Sequence, residues 1–248
     1  MNNPKVTIVI ASFNSGKTIR EALLSVKNQS FQDLECLVVD GASKDDTIEI
    51  VQEFVDKDPR FRYISEPDNG IYDAFNKGWR NAKGKWVYYL GSDDIIEKEG
   101  MRILMEEEDE SYAILSGYTR LVRLDGSTRI VKPGLPKFGI HQGMVMKRDV
   151  MKKMRGFDEK YRILADYDLM VRIINAGYNM KVVDNIVGNF VVGGTSQTLT
   201  NQWKYFLERY DIDKKYKMLK HPFLEASETV ARKIASLLFT EIKKGIQN

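Results

Sequence analysis

Five aspartates in the chain have the settings in which carboxylates do chemistry. Asp40 follows one short apolar run, Asp93 and Asp94 follow another, and Asp166 and Asp168 begin a helical pattern. Burying an unpaired carboxylate is too costly, so each of these groups must meet water, a cation, a hydrogen-bond donor or a ligand. The neighbours of each aspartate therefore decide which chemistry it can do.

The adjacent pair Asp93 and Asp94, preceded by Ser92, suits a divalent cation. Two close carboxylates repel each other unless a cation or a proton lies between them. Their oxygen atoms suit Mg²⁺ or Mn²⁺, and such ions usually keep open positions for substrate phosphates. The alternative is that Asp94 caps the helix that follows and Asp93 is only solvated.

Asp40, Asp166 and Asp168 suit hydrogen bonding and proton transfer. A carboxylate at a strand end, such as Asp40, can accept hydrogen bonds from a base or from ribose hydroxyls, and can equally open an Asx-type turn. Asp166 can act as a general base if a desolvated, partly anionic setting raises its pKa. The alternative for Asp166 and Asp168 is that they cap their helix and interact with its dipole.

Other classes of site lack the residues that they need. Gly16 and Lys17 do not have the spacing of a phosphate-binding P-loop, and no Gly-x-Gly-x-x-Gly follows the first apolar run, which argues against a dehydrogenase. Two histidines and one cysteine argue against a structural zinc site. The formal net charge of +3 falls well short of the strongly basic character of nucleic-acid-binding proteins.

Apolar runs alternate with helical patterns in the first part of the chain, and this order predicts how the acids are positioned. Helices are predicted between four strands at Val6–Ala11, Leu34–Val39, Phe61–Ile64 and Trp86–Leu90. The alternation predicts an α/β fold with a mostly parallel sheet and helices on both faces. Ligands of such sheets bind beyond the carboxyl ends of the strands, which is where Ser12, Asp40 and Ser92–Asp94 are expected to lie.

The pattern changes near Gly91, which suggests a nucleotide-binding half at 1–94 and an acceptor half at 95–197 that share one core. A helical extension is expected at 198–248. The apolar side of its last helix is expected to pack on the domain or on a partner subunit, and the alternative is that it lies on a membrane surface. The single cysteine, Cys36, and the lack of an apolar run of membrane-spanning length lead us to expect a cytoplasmic protein.

Five segments occur in a fixed order along the chain and carry a resemblance, namely Val6–Asn14, Val38–Thr47, Leu90–Asp94, Gly156–Glu159 and Ala165–Leu169. From about residue 4 to 197 the chain resembles family-2 glycosyltransferases of the GT-A fold. Two further segments, Glu66–Gly78 and His141–Gly143, are similar to the subgroup found in bacterial polysaccharide gene clusters.

The resemblance implies a role for each matching position on the donor side. It places in the nucleotide-sugar site Ala11, Ser12, Phe13, Asp40, Gly70, Asp73, Ser92 and Asp93. Of these, Asp40 would form a hydrogen bond with the nucleobase, most often uracil. Asp93 matches the metal-binding aspartate of the Asp-x-Asp motif, with Asp94 beside it as a second candidate ligand. Gly91 stands where the family has the first aspartate of that motif.

On the acceptor side, the resemblance implies that Asp166 is the catalytic base, with Ala165 in place of the family's glutamate. His141 and Asp168 are expected near the acceptor, and a mobile loop is expected at Val192–Ser196. For His141, a role in shaping its loop through a hydrogen bond is an equal alternative.

Together these positions imply an inverting, metal-dependent glycosyltransferase that uses Mn²⁺ or Mg²⁺. Its donor would be a nucleoside-diphosphate sugar, most often a UDP-sugar, and its acceptor a saccharide or lipid-linked saccharide in cell-surface polysaccharide synthesis. One alternative is a nucleotidyltransferase, which would normally need a Gly-rich basic loop after the first strand. The other is a non-catalytic sugar-nucleotide-binding module, suggested by Gly91 and Ala165.

Overall fold

Strands and helices alternate along the chain as far as the fourth strand. A computed structural model describes residues 3–123, 125–134, 138, 141–191, 201–217, 226–231 and 234. The strands are β1 Val6–Ser12, β2 Leu34–Asp40, β3 Phe61–Ser65, β4 Trp86–Gly91, β5 Ile95–Ile96, β6 Tyr112–Val122, β7 Thr128–Val131, β8 Met144–Lys147 and β9 Asn179–Val191. The helices are α1 Ile19–Lys27, α2 Thr47–Val55, α3 Ile71–Asn81, α4 Gly100–Glu106, α5 Arg148–Lys153, α6 Ala165–Asn175 and α7 Gln202–Tyr216, with a short 3₁₀ helix at His141–Gly143.

All of these strands belong to one sheet, in the order β3-β2-β1-β4-β8-β6-β9-β5, with β7 paired to β6. The first four strands are parallel to one another. Beyond β4 the sheet is mixed, because β8 runs antiparallel to both β4 and β6 while β9 runs parallel to β6. The α/β prediction is confirmed, with a parallel first half and a mixed second half.

Helices cover both faces of the sheet because successive residues of the central strands point to opposite sides. In β1, Val9 packs with α3, α5 and α6, whereas Ile8 and Ile10 pack with α1, α2 and α4. Such strands read as continuous apolar runs, which is why the pattern predicted them well.

Helix α3 lies unusually close to β1, and Gly78 permits this contact. A Cβ atom at Gly78 would lie only 2.4 Å from Cγ1 of Val9. The close packing fixes the start of α3 near the carboxyl end of β1, where Tyr72 and Asp73 occur in its first turn.

The second half of the sheet differs from the prediction in the length of its strands. The apolar pattern of the sequence predicts two separate strands here, at Ala113–Gly117 and Thr119–Leu124, but β6 is continuous through Gly117 with irregular register against β9. Gly117 does not end the strand; a Cβ there would lie 2.5 Å from Cγ1 of Val187, so the glycine allows β9 to approach. The four-residue strand β8 was not predicted.

Helix α7 of the predicted extension packs directly on α6. Tyr167 Oη donates to Asp213 Oδ1 at 2.7 Å, and the guanidinium of Arg209 lies over the Tyr167 ring. The predicted boundary near residue 197 lies outside the described residues. Of the predicted last helix, residues 226–231 are helical and Val230 packs against the core, while most of the segment lies outside the described residues. Among the described helices, none combines the length and apolar character needed to span a bilayer.

Candidate active site

Three chain segments meet at the carboxyl edge of the parallel strands. Ser12 Oγ at the end of β1 donates to Asp40 Oδ1 at the end of β2 over 3.1 Å. Ser15, in the loop after β1, shares a 2.8 Å hydrogen bond between its Oγ and that of Ser92, which follows β4. Polar groups from β1, β2 and β4 are therefore brought together as the strand order predicts.

Asp40 is completely buried, and the protein itself provides hydrogen bonds to both of its oxygens. Besides Ser12, the donors are the backbone N–H of Ser43 at 2.9 Å, the Ser43 hydroxyl, and the Ser65 hydroxyl at 2.8 Å. A carboxylate has about four acceptor sites, and four donors occupy them here. The bonds to Ser43 close the Asx-type turn that was the alternative for Asp40. A nucleobase could hydrogen-bond Asp40 only by replacing one of these four donors.

The ring of Phe13 is the most exposed part of this edge, with 62% of the residue accessible, whereas Ala11 before it is half-buried. Gly41 leaves room beside the ring, since a Cβ at that position would lie 3.3 Å from Phe13 Cδ2 and 2.6 Å from Asp68 Oδ2. An exposed aromatic face next to polar groups is suited to stacking against a nucleobase.

The predicted positions Gly70 and Asp73 form the turn that starts α3. Gly70 has φ +115°, a backbone conformation that residues with a side chain rarely adopt. Asp73 Oδ2 accepts the backbone N–H of Asn69 at 2.9 Å, and Arg162 donates to the Asn69 carbonyl. Both predicted residues thus shape the turn, which lies at the same edge of the sheet.

Asp94 is only 1% exposed, although its neighbour Asp93 is exposed. The backbone N–H of Val191 donates to Asp94 Oδ1 at 2.9 Å, and Gln142 Nε2 donates to Asp94 Oδ2 at 2.9 Å. Burial is the main reason why the pKa of Asp94 rises to about 6, and the charge of Asp93 adds to it while the two donors oppose it. When both are ionised, Asp93 and Asp94 repel each other, so the pair favours a cation.

The space above Gly91 is where a cation would be held. A Cβ at Gly91 would lie 2.5 Å from Asp94 Oδ2 and 3.0 Å from Asp93 Oδ1, so both carboxylates approach the space that a side chain would fill. No cluster of three or more His, Cys, Asp or Glu suited to a metal occurs in the described part of the chain. Two carboxylates completed by substrate phosphates and water fit the usual coordination of Mg²⁺.

Asp166 lies at the start of α6 and accepts three hydrogen bonds. The single hydrogen of Tyr72 Oη is shared between Oδ1 at 3.1 Å and the Ile163 carbonyl at 2.8 Å. The backbone N–H of Tyr167 donates to Oδ1 at 2.8 Å, and Oδ2 lies 3.0 Å from Nδ1 of His141. Burial raises the pKa of Asp166, but the hydrogen bond and charge of His141 and the other two donors outweigh it and bring the pKa below its ordinary value. The setting of Asp166 therefore does not supply the raised pKa that would make it a stronger base.

The short 3₁₀ helix joins the two acidic centres through adjacent residues. His141 contacts Asp166, while Gln142 contacts Asp94. Because an ionised Asp166 can only accept, Nδ1 of His141 must carry the hydrogen of their bond. Among the described residues nothing is bonded to the buried His141 Nε2, and the imidazole packs edge-on against Phe75 with ring centroids 5.6 Å apart.

Asp168 does not face an acceptor site, contrary to its predicted place. Its side chain is completely buried, and it accepts Arg172 Nε at 2.7 Å and Tyr216 Oη at 3.2 Å. Arg172 in turn donates to the carbonyl of Gly156. Asp168 therefore links α6 to α7 and to the preceding turn, because side chains two residues apart on a helix, such as those of Asp166 and Asp168, point in different directions.

The structure adds two supporting residues that the sequence did not identify. Tyr72 bonds Asp166, although it belongs to a segment noted only for its resemblance. Glu208 of α7 accepts the backbone N–H groups of Arg162, Ile163 and Leu164 at 2.8, 2.9 and 2.9 Å, and so holds the segment that leads to Asp166. No local pattern around Glu208 indicates this long-range role.

Comparison with known proteins finds relatives of the chain among polysaccharide synthases. The chain is 29% identical over 209 residues to a chondroitin synthase of Pasteurella multocida, which covers 80% of this chain and 22% of that protein. The chain thus spans about a fifth of the length of that relative.

Solved structures show the same fold at low sequence identity. TarS residues 1–349 from S. aureus, in complex with UDP-GlcNAc, superposes with a TM-score of 0.69 at 18% identity, covering 93% of this chain and 71% of that one. The mannosyltransferase PcManGT from Pyrobaculum calidifontis, in complex with GDP-Man and Mn²⁺, gives 0.67 at 17% identity, covering 99% and 81%. Residues 7–187 match the model of the family described as Glycosyl transferase family 2. With its GT-A-like fold and these matching residues, the chain belongs to glycosyl transferase family 2.

Proposed function

We propose that the protein is an inverting glycosyltransferase that moves a sugar from a nucleoside-diphosphate sugar to a saccharide or lipid-linked acceptor in cell-surface polysaccharide synthesis. The observation that carries this proposal is the link between Asp166 and the Asp93–Asp94 pair through the adjacent residues His141 and Gln142. The proposed proton acceptor and the proposed cation-binding carboxylate pair are thereby connected through two adjacent residues. The transferred sugar is proposed to lie between them.

The donor is proposed to bind along the edge formed by β1, β2 and β4. Phe13 would stack on the base. Ser12 and Ser92, whose hydroxyls bond Asp40 and Ser15, would lie near the ribose and diphosphate. UDP is the proposed nucleotide because the similar TarS structure contains UDP-GlcNAc. Because the other similar structure contains GDP-Man, binding of uracil and guanine nucleotides should be compared by experiment.

Asp93 and Asp94 would hold Mn²⁺ or Mg²⁺ together with the diphosphate. When bound, the ion would neutralise the charge that develops on the departing nucleoside diphosphate. The raised pKa of Asp94 and the space above Gly91 support this assignment, as does the Mn²⁺ in the similar mannosyltransferase structure. Gly91 replaces a carboxylate of the resembled motif, and Asp94 approaches the space that its side chain would fill.

Asp166 is the proposed base for the acceptor hydroxyl. Among the described residues, its Oδ2 accepts one hydrogen bond, from His141, so a lone pair remains for the proton. With a lowered pKa the carboxylate stays ionised but is a weak base, so the proton transfers as the hydroxyl oxygen bonds to the anomeric carbon. Attack from the face opposite the diphosphate in one step inverts the configuration.

His141 orients Asp166 by donating from Nδ1, and Tyr72 and the Tyr167 amide fix the other oxygen. These three donors keep the carboxylate in one orientation, in which Oδ2 can face the proton of the acceptor hydroxyl. Burial of Tyr72 and the charge of Asp166 raise the pKa of the phenol well above its ordinary value, so Tyr72 remains a donor.

Replacement of Asp166 by Asn tests the proposal. Sugar transfer, measured as release of the nucleoside diphosphate in the presence of Mn²⁺ and acceptor, should fall by at least about a hundredfold, as expected for loss of a general base. Nucleotide binding measured by calorimetry should be unchanged. Asp33→Asn is the matched control, because Asp33 is exposed at the opposite edge of the sheet. Normal transfer by Asp166→Asn would show that another group takes the proton.

A further inference from the structure

A cavity of about 480 Å³ opens beside Asp166, on the side formed by β7, α6 and α7. Its walls include the aromatic rings of Phe138, Tyr167 and Tyr205. Aromatic faces of this kind suit the apolar face of a sugar ring, and a concave site with few polar groups is typical of small-ligand recognition. The cavity therefore lies where an acceptor hydroxyl could reach the carboxylate.

The charges around this cavity are unequal. Three cations line it, Arg129, Lys132 and Arg209, whereas Asp166 is the one acidic residue among the lining residues. Arg209 is already paired, since its Nε lies 2.5 Å from Asp213 Oδ2. The cavity therefore has an excess of positive charge that comes from Arg129 and Lys132.

Arg129 and Lys132 are both exposed, and neither forms a direct salt bridge with a carboxylate among the described residues. The ammonium of Lys132 lies 4.8 Å from the ring centroid of Tyr118 and bonds the Tyr118 hydroxyl, which is itself bonded to Asp184, so an anion lies near Lys132 but no described carboxylate pairs with Arg129. Arginine and lysine bind carboxylate and phosphate oxygens through charge-assisted hydrogen bonds. Two exposed cations without a direct salt bridge, at the mouth of an aromatic cavity, thus favour an anionic ligand over a neutral one.

We propose that this cavity is the acceptor site and that the acceptor carries a negative charge beside the sugar that receives the transferred residue. The inference rests on the proposed function, because it uses Asp166 as the base. The anionic group is a carboxylate of a uronic acid or a phosphate of a lipid-linked saccharide, and both present oxygens that Arg129 and Lys132 can bind. Arg209 and the aromatic rings hold the sugar on the side nearer α7.

Paired acceptors that differ only in charge test this inference. One arm compares an oligosaccharide ending in a uronic acid with its carboxyl-reduced neutral form. The other arm compares a short-chain alkyl diphosphate-linked N-acetylhexosamine with the alkyl glycoside of the same sugar. Both arms measure binding by calorimetry, and then KM and kcat for transfer from the donor selected in a sugar-nucleotide panel with Mn²⁺.

The anionic member of at least one pair should bind on the order of tenfold more tightly than its neutral partner, and its affinity should fall as salt is raised. The double variant Arg129→Gln/Lys132→Gln should raise the KM for that anionic acceptor by a similar factor and leave its kcat nearly unchanged. Arg123→Gln is the matched control, because Arg123 belongs to the same hairpin and lies outside the cavity lining. The arm that responds identifies carboxylate or phosphate as the recognised group.

Equal use of the neutral and anionic members of both pairs would overturn the inference, as would an anionic preference that survives the double variant. Binding of neither anionic probe by a protein that binds its donor would overturn it too. Failure of the proposed function is a separate result, because it appears as the absence of sugar-nucleotide binding and turnover before any acceptor is added.

Discussion

Asp94→Asn should make the metal-free protein more stable and at the same time remove its response to metal. The Asp94 carboxylate is almost fully buried, and its pKa lies at about 6 instead of the ordinary 3.8. This difference corresponds to roughly 3 kcal/mol, because a tenfold change in an equilibrium constant is worth about 1.4 kcal/mol. That is the free energy lost when the buried group ionises in the folded protein.

The sign follows from the direction of the pKa change. A group whose pKa is raised by folding contributes stability that is present below pH 4 and lost as the pH rises through about 6. Asparagine does not ionise, so the stability difference between Asp94→Asn and the wild type should grow from near zero at pH 4 to about 3 kcal/mol at pH 7.5. The Gln142 Oε1 atom, which has no described partner, can accept a hydrogen bond from the new amide after rotation.

Urea denaturation between pH 4 and pH 8, in a buffer with a chelator, measures this difference. Addition of Mn²⁺ and nucleoside diphosphate should reverse the order, because a ligand that binds only the folded wild type stabilises it by mass action. Asp93→Asn is the control, since Asp93 is exposed and its removal should give a smaller gain without metal. If Asp94→Asn is no more stable than the wild type at pH 7.5 without metal, the burial argument is wrong.

Two further predictions concern the base and the nucleotide. His141→Asn should raise the pKa of Asp166, because His141 supplies the largest contribution that lowers it. On acidification the variant should therefore lose activity at a higher pH than the wild type. The acidic limb of the kcat/KM profile against pH measures this shift, and an unmoved limb would contradict the prediction. Phe13→Ala should weaken nucleotide binding by about 1–3 kcal/mol, the usual value of one base–aromatic stack, with calorimetry as the measurement and unchanged affinity as the opposing result.

The sequence predicts the parallel half of the fold well because its strands are buried on both faces. Continuous apolar runs such as Val6–Ala11 have few alternative interpretations, and the strand order then places Asp40 and Ser92–Asp94 at one edge. In the second half, strand pairing depends on distant residues. Gly117 looks like the end of a strand locally, and only its contact with Val187 explains why it is not.

The environment of the candidate base was beyond sequence reasoning for a similar reason. The donors that lower the pKa of Asp166 include His141 and Tyr72, which are 25 and 94 residues away in the chain. Spacing along α6 groups Asp166 with Asp168, but the fold turns Asp166 toward His141 and buries Asp168 against Arg172. Which carboxylate meets which donor is a property of tertiary packing.

The three amide hydrogen bonds to Glu208 make α7 part of the smallest segment of this protein that can fold stably. The family match stops at residue 187, yet a chain cut there would leave the N–H groups of residues 162–164 without their acceptor, at a typical cost of about 1–3 kcal/mol for each buried group. The loosened backbone would be the one that carries Asp166. Expression trials, domain grafts and comparisons between relatives should therefore include α7 in the catalytic domain.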